Sequence, residues 1–184
     1  FQRMKNYVIY RIACTLQLLS FFFFAILAIH PNAFGFEEHL YFKLPVIALV
    51  VITILNDGCI ISIAYDHVKP SHTPEKWHFT EIFVVAVVLG GVAVVSSLLL
   101  LYWGLNTNEP TSILKKFGMS ELDYAQVCTM IYLKVSLSDF LTVFAARTTG
   151  PFFSRLPSYH LGIAALGAMG ASTGLSHYWD DILD

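Results

Sequence analysis

Apolar residues in this chain gather into five long blocks separated by short polar stretches, and the blocks match the length of lipid rather than the period of a soluble core. A helix needs about 20 mostly apolar residues to cross a bilayer. The runs Ile12–Ile29, Leu44–Ala64, Ile82–Trp103, Ala125–Ala146 and Leu161–Trp179 all approach that length. They predict helices over about 8–29, 44–64, 80–103, 125–146 and 159–179. The third run carries no charge, the fourth contains Lys134 and Asp139, and the fifth is built largely of Gly, Ala and Ser. Small residues let helices approach closely in lipid, so Gly162, Gly167, Gly170 and Gly174 are expected at packing contacts. The predicted fold class is all-α: a polytopic transmembrane helix bundle.

Composition agrees. Hydrophobic residues make up 56% of the chain, charged residues 13%, and the mean hydropathy is +0.63, against roughly 45–50% and ~25% in soluble domains. The net charge of -2 and the lack of a concentrated basic face exclude a nucleic-acid partner. Cys14, Cys59 and Cys128 are far apart with no Cys-x-x-Cys spacing, so they read as small core residues rather than as a metal site or disulfide framework. Basic residues favour a cytoplasmic N-terminus, with Arg3, Lys5, Arg11, Lys69, Lys76, Arg147 and Arg155 inside and Lys43, Lys115 and Lys116 outside. Phe1-Gln2-Arg3 has neither a start methionine nor a signal-peptide pattern. The chain is therefore expected to be an internal piece of something longer.

Asp57 is the residue that asks for a function. It lies in Leu55-Asn56-Asp57-Gly58, inside the otherwise uncharged second run. A carboxylate near the bilayer centre costs a few kcal/mol and usually marks an ion pathway or proton relay. Asn56 and Gly58 are poor helix formers, so a local unwinding is expected there, exposing backbone carbonyls to a polar cavity. Lys134 and Asp139 form a second intramembrane polar set. Five positions apart, they miss the three- or four-residue spacing for pairing along one helix, so partners on other helices and a structural role are expected. His67, His72 and His78 flank a Pro-containing loop and read as plain surface. Phe21–Phe24 faces lipid or the bundle, and the segment Pro31–Lys43 reads as a tolerated surface insertion.

Several segments carry a family resemblance. Phe1-Gln2-Arg3-Met4-Lys5-Asn6-Tyr7, Ile54-Leu55-Asn56-Asp57-Gly58, Ile63-Ala64-Tyr65-Asp66, Lys69-Pro70-Ser71, Pro74-Glu75-Lys76-Trp77 and Arg147-Thr148-Thr149-Gly150-Pro151-Phe152-Phe153 resemble, in collinear order, the C-terminal membrane half of the plasma-membrane proton-pumping P-type ATPases. The resemblance implies the fifth to ninth helices of a ten-helix pump, in the plasma membrane, with the phosphorylation, nucleotide-binding and actuator domains lying elsewhere. It implies that Asp57 accepts the proton. ATP and Mg2+ would serve the parent pump, and no cofactor is expected in this chain. Its partners would be the lipid bilayer, protons, and the remaining helices and cytoplasmic domains of the same pump.

One departure concerns the counter-ion. Plant relatives carry Arg, and fungal relatives His, at the position of Gln17, which bears no charge. Fungal pumps carry an Arg matching Arg11 within Tyr10-Arg11-Ile12-Ala13. Two roles stay open for Arg11: partner of Asp57, or a side chain that snorkels to the interface. A single carboxylate favours H+ over Na+, because sodium pumps on this scaffold offer several. The alternative functions are a channel or secondary transporter, or a truncated membrane protein that does not pump. Tyr65-Asp66 imitates half of an intramembrane aspartyl protease, but the Gly-x-Gly-Asp half is absent.

Overall fold

The computed structural model describes residues 2–35, 41–63, 77–108, 116, 122–147 and 159–178. Five long helices dominate: α1 (Gln2–Ala28), α2 (Val46–Ile63), α3 (Phe79–Leu105), α4 (Tyr124–Ala146) and α5 (Tyr159–Tyr178). There is no strand among the described residues. The chain is an all-α bundle. α1, α3 and α4 are each long and apolar enough to cross a membrane, while Val46–Gly58 of α2 is a shorter apolar stretch. α5 falls outside that set because Gly, Ala and Ser dilute its hydropathy.

α1 starts at Gln2 rather than near residue 8. Its first turns contain Gln, Arg, Met and Lys, which are good helix formers, so the helix continues past its apolar span. At the other end a 3-10 turn, Pro31–Phe34, is closed by Gly35 at φ 96°, a conformation that favours glycine.

Side chains pack into two clusters along the bundle. Toward the Lys43 end, Phe21 and Ala25 of α1 meet Phe42, Leu44, Ala48 and Ile52, closed by Leu101 and Leu105 of α3 and by Val127 and Ile131 of α4. Toward the Lys5 end, Ile9, Tyr10 and Ala13 meet Ile82 and Ala86 of α3, Phe140 and Val143 of α4, and Leu161 and Ala165 of α5. The outward residues are also large and apolar, among them Phe23, Leu27, Val84, Val88 and Val92. That surface suits hydrocarbon, where every backbone polar group must be satisfied internally and the helix does so.

Polar side chains fasten the entry to α4. The Tyr124 hydroxyl accepts from the Lys43 backbone N–H at 2.9 Å and lies 3.2 Å from the Lys43 carbonyl, to which it donates. The Asp123 N–H donates to Gln126 Oε1 at 3.2 Å, satisfying one of the donors a helix start leaves open.

The glycine expectation fails for α5. Open space surrounds Gly162, Gly167, Gly170 and Gly174, because α5 packs through Leu161, Ala165, Ala168 and Ser172 and the glycines lie off that face. The close approach that needs glycine occurs in α3: a Cβ on Gly90 would lie 3.0 Å from the Ala13 carbonyl oxygen, so the absence of a side chain lets α1 and α3 touch. At Gly104 the near neighbour is the mobile end of Met130, at 2.7 Å. Gly90→Val is therefore expected to destabilise the α1–α3 contact by about 1–3 kcal/mol, and Gly104→Ala by less because the Met130 end can swing aside. Thermal unfolding in detergent compares the two, and equal effects would contradict the assigned contact.

Candidate functional site

The polar residues of the apolar helices converge where α1, α2 and α4 meet. A cavity of about 190 Å³ opens there, lined by Tyr10, Arg11, Cys14, Thr15, Leu18 and Leu19 from α1, Ile52, Thr53 and Asn56 from α2, and Asp139 from α4. Three turns of α1 reach the cavity because Tyr10, Cys14 and Leu18 repeat every four residues and so share one face.

Asp57 does not line this cavity itself but pairs with Arg11, which does. Arg11 Nη1 donates to Asp57 Oδ1 at 2.6 Å, with 47% of the Arg11 side chain and 52% of the Asp57 side chain exposed. The short charge-assisted bond joins α1 to α2 on the open side of the groove. Among the described residues the other ion pair is Lys5–Glu81 at 3.0 Å, between the starts of α1 and α3.

Asn56 turns the other way. Its Nδ2 donates to Asp139 Oδ2 at 2.5 Å, and both residues are buried, at 6% and 1% exposure. The remaining oxygens, Asn56 Oδ1 and Asp139 Oδ1, are buried without a hydrogen-bond partner among the described residues. Neighbours in a helix point about 100° apart, which is how Asn56 reaches inward to α4 while Asp57 reaches Arg11.

The local unwinding expected at Asn56-Asp57-Gly58 is absent. α2 is a continuous α-helix from Val46 to Ile63. Both polar side chains find partners without disturbing the backbone, and Gly58 faces open space, so nothing breaks the ladder.

Lys134 is not part of this cluster. Its Nζ donates to the Ala93 carbonyl at 2.9 Å, Ser96 Oγ at 2.7 Å and Ser97 Oγ at 2.5 Å. All three acceptors lie on α3. The ammonium thus ties α4 to α3, while Asp139 on the same helix ties α4 to α2. Ser136 and Ser172 share a hydrogen bond of 2.7 Å between α4 and α5. Gln17 is 1% exposed, its amide has no hydrogen-bond partner among the described residues, and it lines a separate cavity of about 10 Å³. Cys14 is half-buried on the wall of the main cavity and Cys128 is buried. Cys59, His67, His72, Tyr65-Asp66 and Lys69-Pro70-Ser71 lie outside the described side chains, and His78 is exposed just before α3.

The structure thus joins Arg11 to Asp57 and Asn56 to Asp139 around one cavity. Sequence reasoning did not place Asp139 there, since the residues it joins are 83 positions apart. The usable signal was chemical: two isolated carboxylates and one amide at membrane depth, where unpaired polar groups are costly.

Comparison with known proteins gives the same class. The chain is 43% identical to a probable proton ATPase 1A and 42% identical to a probable proton ATPase 1B of Leishmania donovani, each over 186 aligned residues that cover 97% of this chain. It is 33% identical to a probable plasma membrane ATPase of Dictyostelium discoideum, across 84% of this chain. No protein-family model matches. Over most of its own length the chain is homologous to proteins named as proton ATPases and a plasma membrane ATPase. It spans 19% of the length of the two Leishmania relatives and 13% of the Dictyostelium one.

Lys134→Met would leave the Ser96 and Ser97 hydroxyls and the Ala93 carbonyl without their cationic donor. A loss of about 1–3 kcal/mol in stability is expected. Thermal unfolding in detergent checks this, and unchanged stability would contradict the assigned tie between α4 and α3.

Proposed function

We propose that this chain is the membrane part of an ATP-driven pump that exports protons across the plasma membrane, with Asp57 carrying the proton and Arg11 as its counter-ion. The observation that carries the reading is the 2.6 Å Arg11–Asp57 ion pair between two apolar helices. The names of the relatives, proton ATPase and plasma membrane ATPase, supply the ion, the energy source and the membrane. Arg3, Lys5 and Arg147 favour a cytoplasmic N-terminus.

The chemistry needs one carboxyl group in two environments. Beside the guanidinium the carboxylate is favoured, because opposite charges attract strongly where water is scarce; away from it, in an apolar setting, the neutral acid is favoured. A conformational change that parts Arg11 from Asp57 on one side of the membrane and rejoins them on the other loads and then expels a proton. Rejoining also guards against return, since a free proton would have to displace the guanidinium. ATP with Mg2+ supplies the conformational energy in the catalytic domains of the whole pump. Lys134 and Asp139 act structurally by joining α4 to its neighbours.

The test is proton transport by the full-length pump in sealed vesicles. Asp57→Asn is expected to abolish ATP-driven acidification. Arg11→Ala is expected to change the pH dependence of transport, because a cation beside a carboxylate influences its protonation. Continued pumping by Asp57→Asn would reject the carrier. An unmoved pH midpoint in Arg11→Ala would reject the counter-ion and leave Arg11 at the interface.

A further inference from the structure

α2 has no apolar stripe that distinguishes one face from another. Ala48 and Ile52 are buried while Val46, Ile47, Val50, Ile54 and Ile61 are exposed, so aliphatic side chains occupy both sides. In a membrane such a helix gains little by presenting one aliphatic face rather than another, and packing detail and polar bonds decide its rotation. Two side chains of α2 bond to other helices among the described residues: Asn56 to α4 and Asp57 to α1.

The two bonds differ in depth. Arg11 and Asp57 are about half exposed, so their attraction is softened wherever water reaches the groove. The Asn56–Asp139 bond is enclosed, and losing it would leave the buried Asn56 amide with no partner and the buried Asp139 carboxylate without its amide donor. Breaking a bond of that kind costs more than the bond contributes when made. The buried bond therefore sets the rotation of α2, and the one-residue step of about 100° then delivers Asp57 to Arg11.

We propose that Asp139 is a positioning residue for proton transport, acting through Asn56 to hold Asp57 against Arg11. This inference rests on the carrier reading above. Asp139 sits on α4, and α4 is anchored separately to α3 by Lys134 and to α5 by Ser136, so the clamp is fixed to the rest of the bundle. The groups facing it are Asn56 from α2, Tyr10 and Cys14 from α1, and Lys134 on its own helix. Arg11 is the charged group facing Asp57, and Glu81 of α3 is occupied by Lys5 at the end of the bundle.

The full-length pump is assayed as Asp139→Leu, Asn56→Leu, the double variant, Asp139→Asn and Asp57→Asn. Asp139→Leu and Asn56→Leu are each expected to move the pH midpoint of transport in the same direction as Arg11→Ala, by about half a unit to one unit. The double variant should move it no further, because both changes remove one bond. Asp139→Asn keeps a carbonyl that accepts from Asn56 Nδ2 and should stay near the unaltered midpoint. An Asp139→Leu pump that only melts earlier, with its midpoint in place, would overturn the proposal in favour of packing. Transport lost in Asp139→Asn would overturn it by making Asp139 a carrier itself. Asn56→Leu carries the same expectation where Asp139→Leu does not fold.

A second readout does not depend on the carrier. With the three native cysteines replaced, Arg11→Cys and Asp57→Cys are introduced together and bridged by a short bifunctional thiol reagent. The clamp should hold the two positions in reach, and adding Asn56→Leu should slow bridging at least about fivefold. Normal bridging in the presence of Asn56→Leu would reject the clamp. Should Asp57→Asn still pump while bridging depends on Asn56, the carrier assignment fails and the clamp stands.

Discussion

Everything polar in this bundle answers to the scarcity of water around it. A soluble protein can leave a stray amide or carboxylate to the solvent, whereas a helix in hydrocarbon has only its neighbours, and each unpaired group costs several kcal/mol. The described structure meets this with few connections. Asn56–Asp139 joins α2 to α4, Lys134 joins α4 to α3, Ser136–Ser172 joins α4 to α5, and Arg11–Asp57 joins α1 to α2. α4 takes part in three of the four. It is the hub of the polar framework, and its apolar run is the one that contains both Lys134 and Asp139.

Close packing complements that framework. Gly90 admits the backbone of α1 at Ala13, two residues from Arg11 and beside Cys14. The position of Arg11 is thus set by a backbone contact with α3, and the rotation of α2 by a side-chain contact with α4. The ion pair is assembled from two constraints that do not involve each other. Such a pair can be opened by moving one helix without unpacking the other, which is what alternating a carboxyl group between two environments demands.

The apolar runs made the five helices and the all-α class legible, because a stretch of about 20 apolar residues has few other stable fates. The extension of α1 to Gln2 was less so: the polar turns at its start carry no hydrophobic signal, only good helix propensity. Asp57 was legible as a candidate because a lone carboxylate in an apolar run is expensive, and Arg11 was reachable as its candidate partner through resemblance. Their distance was not. The pairing of Asn56 with Asp139 depends on how α2 and α4 lie side by side, and no local pattern encodes a contact across 83 positions. Glycine misled for a related reason. Small residues permit close approach without requiring it, so the Gly-rich α5 turned open faces outward while Gly90, a single glycine beside Gly91 in a Val-rich helix, made the contact.

The continuity of α2 bears on how a proton site can be built. A broken helix offers backbone carbonyls as ligands, which suits metal ions that need several oxygens at fixed distances. A proton needs one basic atom and an environment that changes. α2 keeps its ladder intact through Asn56-Asp57-Gly58 and offers a single side chain on its open side, with one guanidinium opposite. The cavity wall is aliphatic at Leu18, Leu19 and Ile52 and otherwise polar, with Tyr10, Arg11, Thr15, Thr53, Asn56 and Asp139. Thr15 and Thr53 already donate their hydroxyls to the carbonyls of Arg11 and Leu49, four residues back. Their protons are committed to the helix, and their oxygens remain as acceptors on the cavity wall, as do the unpartnered Asn56 Oδ1 and Asp139 Oδ1.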